Sequence, residues 1–470
     1  MNFWNAAFNL PAGPLIFLSI ALFIAFLFEF INGFHDTANA VTTVIYTRSL
    51  RPTQAVVFSG VMNFLGALIN VLFLGAGVAF TIVNLLPVEL LVDARSNAAL
   101  VMVVSLLLAG VLWNLSTWYL GLPVSSSHTL IGSILGVGIA NGLWMNAGWA
   151  GVKWSAAGKV GLGLLISPLI GFLCAGGLLL LMRLLIKTPR LYHSPQGEDQ
   201  PPGWIRAMLI ATCGGVSFFH GSNDGQKGMG LLLLVLIGFL PAHYALSVNN
   251  PEMAPEVHKA VGEVRNLYIR YKSPISEQLN KDIDFLEREL DGKASFEDLP
   301  RNQDDRWNVR QAIYRINAEI KRLENQPGTP VELKEELKEL RQNRLSGAIE
   351  YVPVWVVFGT ALALGIGTMI GYKRIVITVA EKIGKTHMNY AQGAVAQTVT
   401  AATILVADVT DLPVSTTQVL SSSVAGTMVA NRSGIQGGTV GKILIAWVLT
   451  LPSCILLSGI LFILGRLIVG

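Results

Sequence analysis

Apolar runs long enough to cross a bilayer, separated by short polar stretches, occupy most of this chain. They cover residues 15–30, 55–80, 98–115, 160–181, 355–370 and 443–468, and a helix needs about 20 largely apolar residues to span hydrocarbon. The pattern predicts an all-α, polytopic membrane protein. No Lys or Arg precedes the first run and no convincing cleavage site follows it, so it reads as a retained span and not as a signal peptide. One block departs from the pattern. Residues 241–350 are rich in Glu, Asp, Lys and Arg, and from Val331 to Leu340 the leucines recur at helical intervals. This predicts a soluble, helical insertion whose leucine repeats are too few for a sustained coiled coil.

The polar stretches come in matched pairs. Gly33-Phe34-His35-Asp36-Thr37-Ala38-Asn39-Ala40 is echoed by Gly221-Ser222-Asn223-Asp224-Gly225-Gln226-Lys227-Gly228. Asp36 aligns with Asp224 and Asn39 with Lys227. Pro123-Val124-Ser125-Ser126-Ser127-His128 is echoed by Pro413-Val414-Ser415-Thr416-Thr417-Gln418. Asp36 precedes Pro123 by 87 positions and Asp224 precedes Pro413 by 189, an excess of 102 that residues 241–350 account for. The chain therefore divides into a first transmembrane repeat (1–185), a basic linker (186–203), the start of a second repeat (204–240), the charged insertion (241–350) and the remainder of the second repeat (351–470).

Composition sharpens the class. Hydrophobic residues make up 52% and charged residues 14%, against roughly 25% charged in soluble domains. The net charge of +4 gives no sign of a nucleic-acid partner. Cys174, Cys213 and Cys454 stand singly in apolar or Gly-rich helix and read as small packing residues, not as a disulfide or metal framework. The basic groups Arg48/Arg51, Arg183/Lys187/Arg190/Arg206, Lys373/Arg374/Lys382/Lys385 and Arg432/Lys442 can all lie inside if each aspartate-bearing segment crosses once. That arrangement puts both termini and the insertion outside.

Two inverted-topology repeats with broken helices meeting near mid-membrane describe a secondary transporter. A helix that starts inside the bilayer points free N–H groups and its positive dipole end into the site, which suits an anion. Pro at the first helical position followed by hydroxyl residues writes such a start. Ser125, Ser126 and Ser127 would converge with Ser415, Thr416 and Thr417 on one oxyanion. Asp36 and Asp224 would repel an anion and therefore require cations, so the pattern reads as an anion–cation symporter. Intramembrane carboxylates are functional candidates by default, because ionised and unpaired they cost several kcal/mol.

In the stretches quoted above, and in the longer GFHDTANAVTTVIYTR, GLPVSSSHTLIGSILGVG, HGSNDGQKGMG and DLPVSTTQVLSSSVAG, the chain resembles the inorganic phosphate transporter (PiT) family, in particular its low-affinity bacterial branch. The resemblance covers essentially the whole membrane part. It implies an inverted-repeat carrier of orthophosphate in the bacterial inner membrane, with no catalytic residue and no cofactor. It also implies that Asp36 and Asp224 serve the coupling cation and that Asn39, Ser125, Ser126, Ser415 and Thr416 bind phosphate. In one place the chain departs from the family: Lys227 stands where many sodium-coupled members carry Asn. A fixed ammonium beside Asp224 takes the place of a sodium ion and helps to hold phosphate, which favours protons over sodium as the coupling ion. A co-transported divalent metal ion and a homodimer are further partners that such a carrier admits.

Plainer roles compete for several of these residues. Hydroxyls in membrane helices often bond back one turn, the favoured reading for Ser421, Ser422 and Ser423. His35, His128 and His220 are candidates for a proton relay or a metal site, with helix packing as the alternative. Asn63 and Asn70 lie on a small-residue stripe that reads as helix packing. Asp408 and Asp411 either pair with a nearby Lys or lie at the membrane surface, and Glu29 has no assigned role. Sodium-coupled phosphate symport and transport of another tetrahedral oxyanion such as sulfate are the alternative functions. An intramembrane aspartyl protease is disfavoured, since Lys227 beside one aspartate would spoil proton sharing in a dyad.

Overall fold

The computed structural model describes residues 7–8, 10–73, 75–86, 97–195, 200–247, 250, 252–271, 276–300, 303–371, 375–376 and 383–469. Lys373, Arg374 and Lys382, counted above in one basic loop, lie outside them. The first half comprises α1 (Ala12–Tyr46), α2 (Pro52–Phe73), α3 (Gly77–Val83), α4 (Asn97–Tyr119), α5 (Ser126–Trp144) and α6 (Trp154–Leu185). The helix α7 (Gly203–Phe239) opens the second half. The charged block follows with α8 (Met253–Arg270), α9 (Glu277–Leu290), α10 (Gln303–Glu324) and α11 (Val331–Glu339). The chain closes with α12 (Val354–Thr368), α13 (Tyr390–Val409), α14 (Thr416–Ala430) and α15 (Gly437–Val469). Among the described residues five helices, counting α4 from Leu100, are long and apolar enough to cross a membrane: α1, α2, α4, α6 and α15.

The chain forms two compact units, residues 16–235 with 353–470, and residues 1–15 with 236–352. In the larger unit the halves exchange partners. The Pro-led helix α5 packs on α15, the last helix of the other half, and its counterpart α14 packs on α6. In the same way α2 packs on α12. Missing side chains permit these contacts. A Cβ at Gly136 would sit 2.2 Å from the carbonyl of Ile455, and one at Gly426 would sit 2.1 Å from that of Phe172. Small residues let membrane helices approach this closely, and dispersion then holds them, since lipid supplies no hydrophobic drive between helices.

Local detail differs from the sequence reading in three respects. The aspartate stretches do not interrupt their helices. Asp36 lies inside the 35-residue α1 and Asp224 inside the 37-residue α7. Neither helix contains an interior proline, and Gly33 and Gly221 sit where neighbouring backbone leaves no room for a side chain. Of the paired motifs, those with proline mark helix starts. There, Pro does not occupy the first helical position: α5 starts at Ser126 and α14 at Thr416, each with the preceding serine as its cap. The prolines instead hold the extended approach to the helix, as expected from their missing N–H. The run 55–80 is not one helix either. It ends at Phe73 and resumes at Gly77, with Gly75 at a φ of +88°.

The smaller unit is built from amphipathic helices. In α8, Val257, Ala260, Val261, Val264, Leu267 and Tyr268 are buried, the i, i+3, i+4 stripe of a one-sided helix. Ser276 caps α9 by accepting from the Leu279 amide. The buried Arg310 of α10 donates to the carbonyls of Ala245 (2.7 Å) and Ile349 (2.9 Å), fastening the chain where it enters and leaves the block. Burial draws its guanidinium down to about 10, so it remains charged at neutral pH.

Candidate functional site

The helix starts of α5 and α14 and the middles of α1 and α7 bring their polar residues to one buried cluster. Asp36 accepts hydrogen bonds from Ser126 Oγ (2.9 Å) and Thr417 Oγ1 (2.7 Å), one from each proline-led helix. Asn39, one turn further along α1, donates to Thr417 Oγ1 at 2.9 Å. Asp224 takes a 2.7 Å contact from Lys227 Nζ, and the same ammonium reaches Ser127 Oγ (2.6 Å) and the Val414 carbonyl (2.9 Å). Ser127 also donates to Val414 O at 2.8 Å. Lys227 is almost fully buried, so these three acceptors replace its hydration.

His220 stands between the two aspartates. Its Nε2 lies 3.7 Å from Asp36 Oδ2 and 3.6 Å from Asp224 Oδ2, while Nδ1 is 2.8 Å from Asn63 Oδ1. Asn63 in turn donates to Thr368 Oγ1 at 3.0 Å. An amide oxygen can only accept, so Nδ1 carries the hydrogen and Nε2 faces the carboxylates. His35 lies 3.3 Å from Asp36 Oδ1 by Nδ1 and 3.4 Å from Thr117 by Nε2. One ligand atom each from Asp36, His220 and Asp224 lie within 4.8 Å of one another, a donor set suited to a cation.

Not every candidate turns inward. Ser125 and Ser415 spend their hydroxyl oxygens as caps, accepting from the amides of His128 and Gln418. Thr416 is buried at the first position of α14. His128 is buried, and its Nδ1 has no partner. Ser422 bonds back to the carbonyl of Val419, as the plain reading expected, whereas Ser423 reaches across to Gly171 O and Ser421 Oγ has no partner.

Other residues join the site without a motif of their own. Asp408 is not at the surface. It is buried, accepts from Ser222 Oγ and, at 2.6 Å, from Asn223 Nδ2, and so ties α7 to the end of α13. Asn223 also donates to the Leu412 carbonyl (3.3 Å), which leads into the Pro413 turn. Asn63 carries His220 instead of serving only as packing. Its position on the polar stripe of α2 was the available signal, but a stripe does not show which partner it meets.

The chain as a whole is similar to known proteins. A family model described as "Phosphate transporter family" matches residues 32–458. The low-affinity inorganic phosphate transporter PitA of Escherichia coli K12 is 41% identical, over 97% of this chain and 98% of that protein. The probable low-affinity inorganic phosphate transporter of Bacillus subtilis is 29% identical, over 97% of this chain and 99% of that one. A solved structure titled "The sodium-dependent phosphate transporter" shares the fold with a TM-score of 0.54 at 20% identity, covering 96% of this chain and 100% of that one. The relatives' names describe transport and not hydrolysis, which removes the protease reading. With a family match across most of its length and relatives at 41% identity, this multi-pass membrane protein belongs to the phosphate transporter family.

Proposed function

We propose that the protein is a proton-coupled symporter importing inorganic phosphate across the bacterial inner membrane, its two halves forming inverted repeats. The observation that carries this reading is the buried Lys227–Asp224 contact of 2.7 Å. An ammonium already neutralises the second aspartate, which removes one reason for that position to bind sodium.

In the present arrangement Ser126 and Thr417 donate to Asp36, so a carboxylate holds the donors that an oxyanion would use. Phosphate gains them when Asp36 is neutralised by a cation or a proton, and this makes loading of anion and cation interdependent. His220, facing both aspartates through Nε2, is placed to pass a proton between them. Asn39 and Lys227 then supply further donors to the anion.

Purified protein in proteoliposomes should accumulate labelled phosphate under an imposed pH gradient in sodium-free buffer, and Lys227→Asn should lose this. Uptake that needs sodium and ignores the pH gradient would instead support sodium at Asp36, His220 and Asp224. Competition by sulfate and arsenate tests the choice of anion. Repeating the assay with and without Mg²⁺ tests whether phosphate travels as a metal complex.

A further inference from the structure

Four carboxyl groups are buried among the described residues of the larger unit: Glu29, Asp36, Asp224 and Asp408. The only buried ammonium or guanidinium among them is Lys227. If all four acids were ionised, Lys227 would balance one of them, and only protonation of His35 or His220, the imidazoles beside Asp36 and Asp224, could offset others in a low-dielectric interior. Hydrogen-bond donors decide which acid tolerates ionisation. Asp36 receives two hydroxyl donors, Asp408 a hydroxyl and an amide, and Asp224 the ammonium of Lys227. Glu29 has only the Asn32 side chain, one turn further along α1, near its carboxyl, and that approach completes no hydrogen bond. Both of its oxygens are without a partner, and the residue is fully buried.

Glu29 is nevertheless placed against the transport site. It precedes Asp36 by seven residues on α1, two turns along the same face. Across from it is Gly228, next to Lys227. A Cβ at Gly228 would come within 2.3 Å of Glu29 Oε2 and 2.6 Å of its carboxyl carbon. The Glu29 carboxyl thus occupies the space that any other residue at 228 would fill. The groups acting on it electrostatically are Asp224 and Lys227 of α7 and Asp36 of its own helix, with the Asn32 side chain alongside. The neighbouring α4 carries no charged residue.

A second feature extends this position into a polar lane. Phe28 lies against Gly110 and His35 against Thr117, so α1 and α4 run side by side, and the i+4 and i−3 spacing of Asn32 and Asn114 from these residues assigns both to the contacting faces. Asn32 Oδ1 and both side-chain heteroatoms of Asn114 are also buried without partners. Unpaired polar groups gathered in a membrane interior mark a path for an ion or a proton.

We infer that Glu29 is the carboxyl that carries the coupling proton, neutral while the site is closed and deprotonated when the site opens toward the cell interior. On opening, the O–H bond of Glu29 breaks, the proton passes to water, and the electron pair stays on the carboxylate. Recharging takes a proton from the outer side. This rests on the proton-symport reading above, and the test separates the two. The assay is the same proteoliposome, with labelled phosphate and sodium-free buffer. Glu29→Gln, whose amide mimics the neutral acid, should lose accumulation driven by a pH gradient while still exchanging labelled for unlabelled phosphate, a process with no net proton movement. Glu29→Asp, which restores a carboxyl, should regain accumulation. If Glu29→Gln still accumulates phosphate, or loses exchange together with accumulation, the inference falls. It falls too if Glu29→Gln does not assemble, because a neutral side chain would then be intolerable there. A parent protein indifferent to the pH gradient would overturn proton coupling itself. A proton-driven parent with an equally proton-driven Glu29→Gln overturns only the role of Glu29.

Discussion

Thr417 donates a 2.7 Å hydrogen bond to Asp36, a residue 381 positions away in the other half of the chain. Ser126, the counterpart of Thr416 in the first proline motif, donates to the other oxygen of the same carboxylate at 2.9 Å. One aspartate therefore reads the helix starts of both halves.

Removing either hydroxyl should weaken phosphate binding, because the same donors serve carboxylate and anion in turn. A donor to a charged group contributes roughly 1.5–3 kcal/mol, so Ser126→Ala and Thr417→Val should each raise the Kd for phosphate about ten- to a hundredfold. Equilibrium binding to the purified protein checks this. An unchanged Kd in both variants would remove these residues from the anion site.

Asp36→Asn and Asp224→Asn should each abolish concentrative uptake and leave a folded protein. The amide is nearly isosteric with the carboxylate but carries no charge to bind or release a coupling ion. Uptake in proteoliposomes, alongside a monodisperse elution profile, distinguishes lost coupling from lost structure. Variants that accumulate phosphate like the parent would make both carboxylates structural.

Lys227→Met should be worse for stability than Lys227→Met combined with Asp224→Asn. The single change leaves Asp224 buried without its cation, a loss of about 3–5 kcal/mol, whereas removing both partners leaves no uncompensated charge. Thermal unfolding in detergent should rank the variants parent, double, single. A double variant less stable than the single would show that Lys227 acts through Ser127 and Val414 and not through Asp224.

Residues 249–347 should be dispensable for phosphate binding, since the block has no counterpart in the first half and belongs to a separate compact unit. Replacing them with a short Gly/Ser linker should leave the phosphate Kd unchanged. Within that unit Arg310→Met should leave the carbonyls of Ala245 and Ile349 unpaired and destabilise it by roughly 2–4 kcal/mol. A lower melting temperature with phosphate binding retained is the expected pattern. Loss of binding in a monodisperse linker variant would show that the block supports the site.

The sequence by itself determined the membrane class, the pairing of motifs and the identity of the main charged residues. These properties are written locally. A span needs only a run of apolar side chains, and Asp36, Asp224 and Lys227 are conspicuous as charged residues in short polar stretches flanked by long apolar runs. The start of each half-helix was also legible to within a few residues, because proline cannot donate to a helix and a serine that follows can cap one. Tertiary structure decided the rest. Successive residues on a helix point 100° apart, so among Ser415, Thr416 and Thr417 only packing could choose Thr417 for Asp36 and turn Ser415 back as a cap. Packing likewise kept α1 and α7 continuous through their polar stretches. The hydroxyl partners of Asp36 that make this tolerable come from helices far away in sequence, whereas the ammonium that meets Asp224 is that of Lys227 on the same helix. Asp408 and Asn63 found such partners and Glu29 did not, a difference set by which side chains meet across helices and absent from any one stretch of chain.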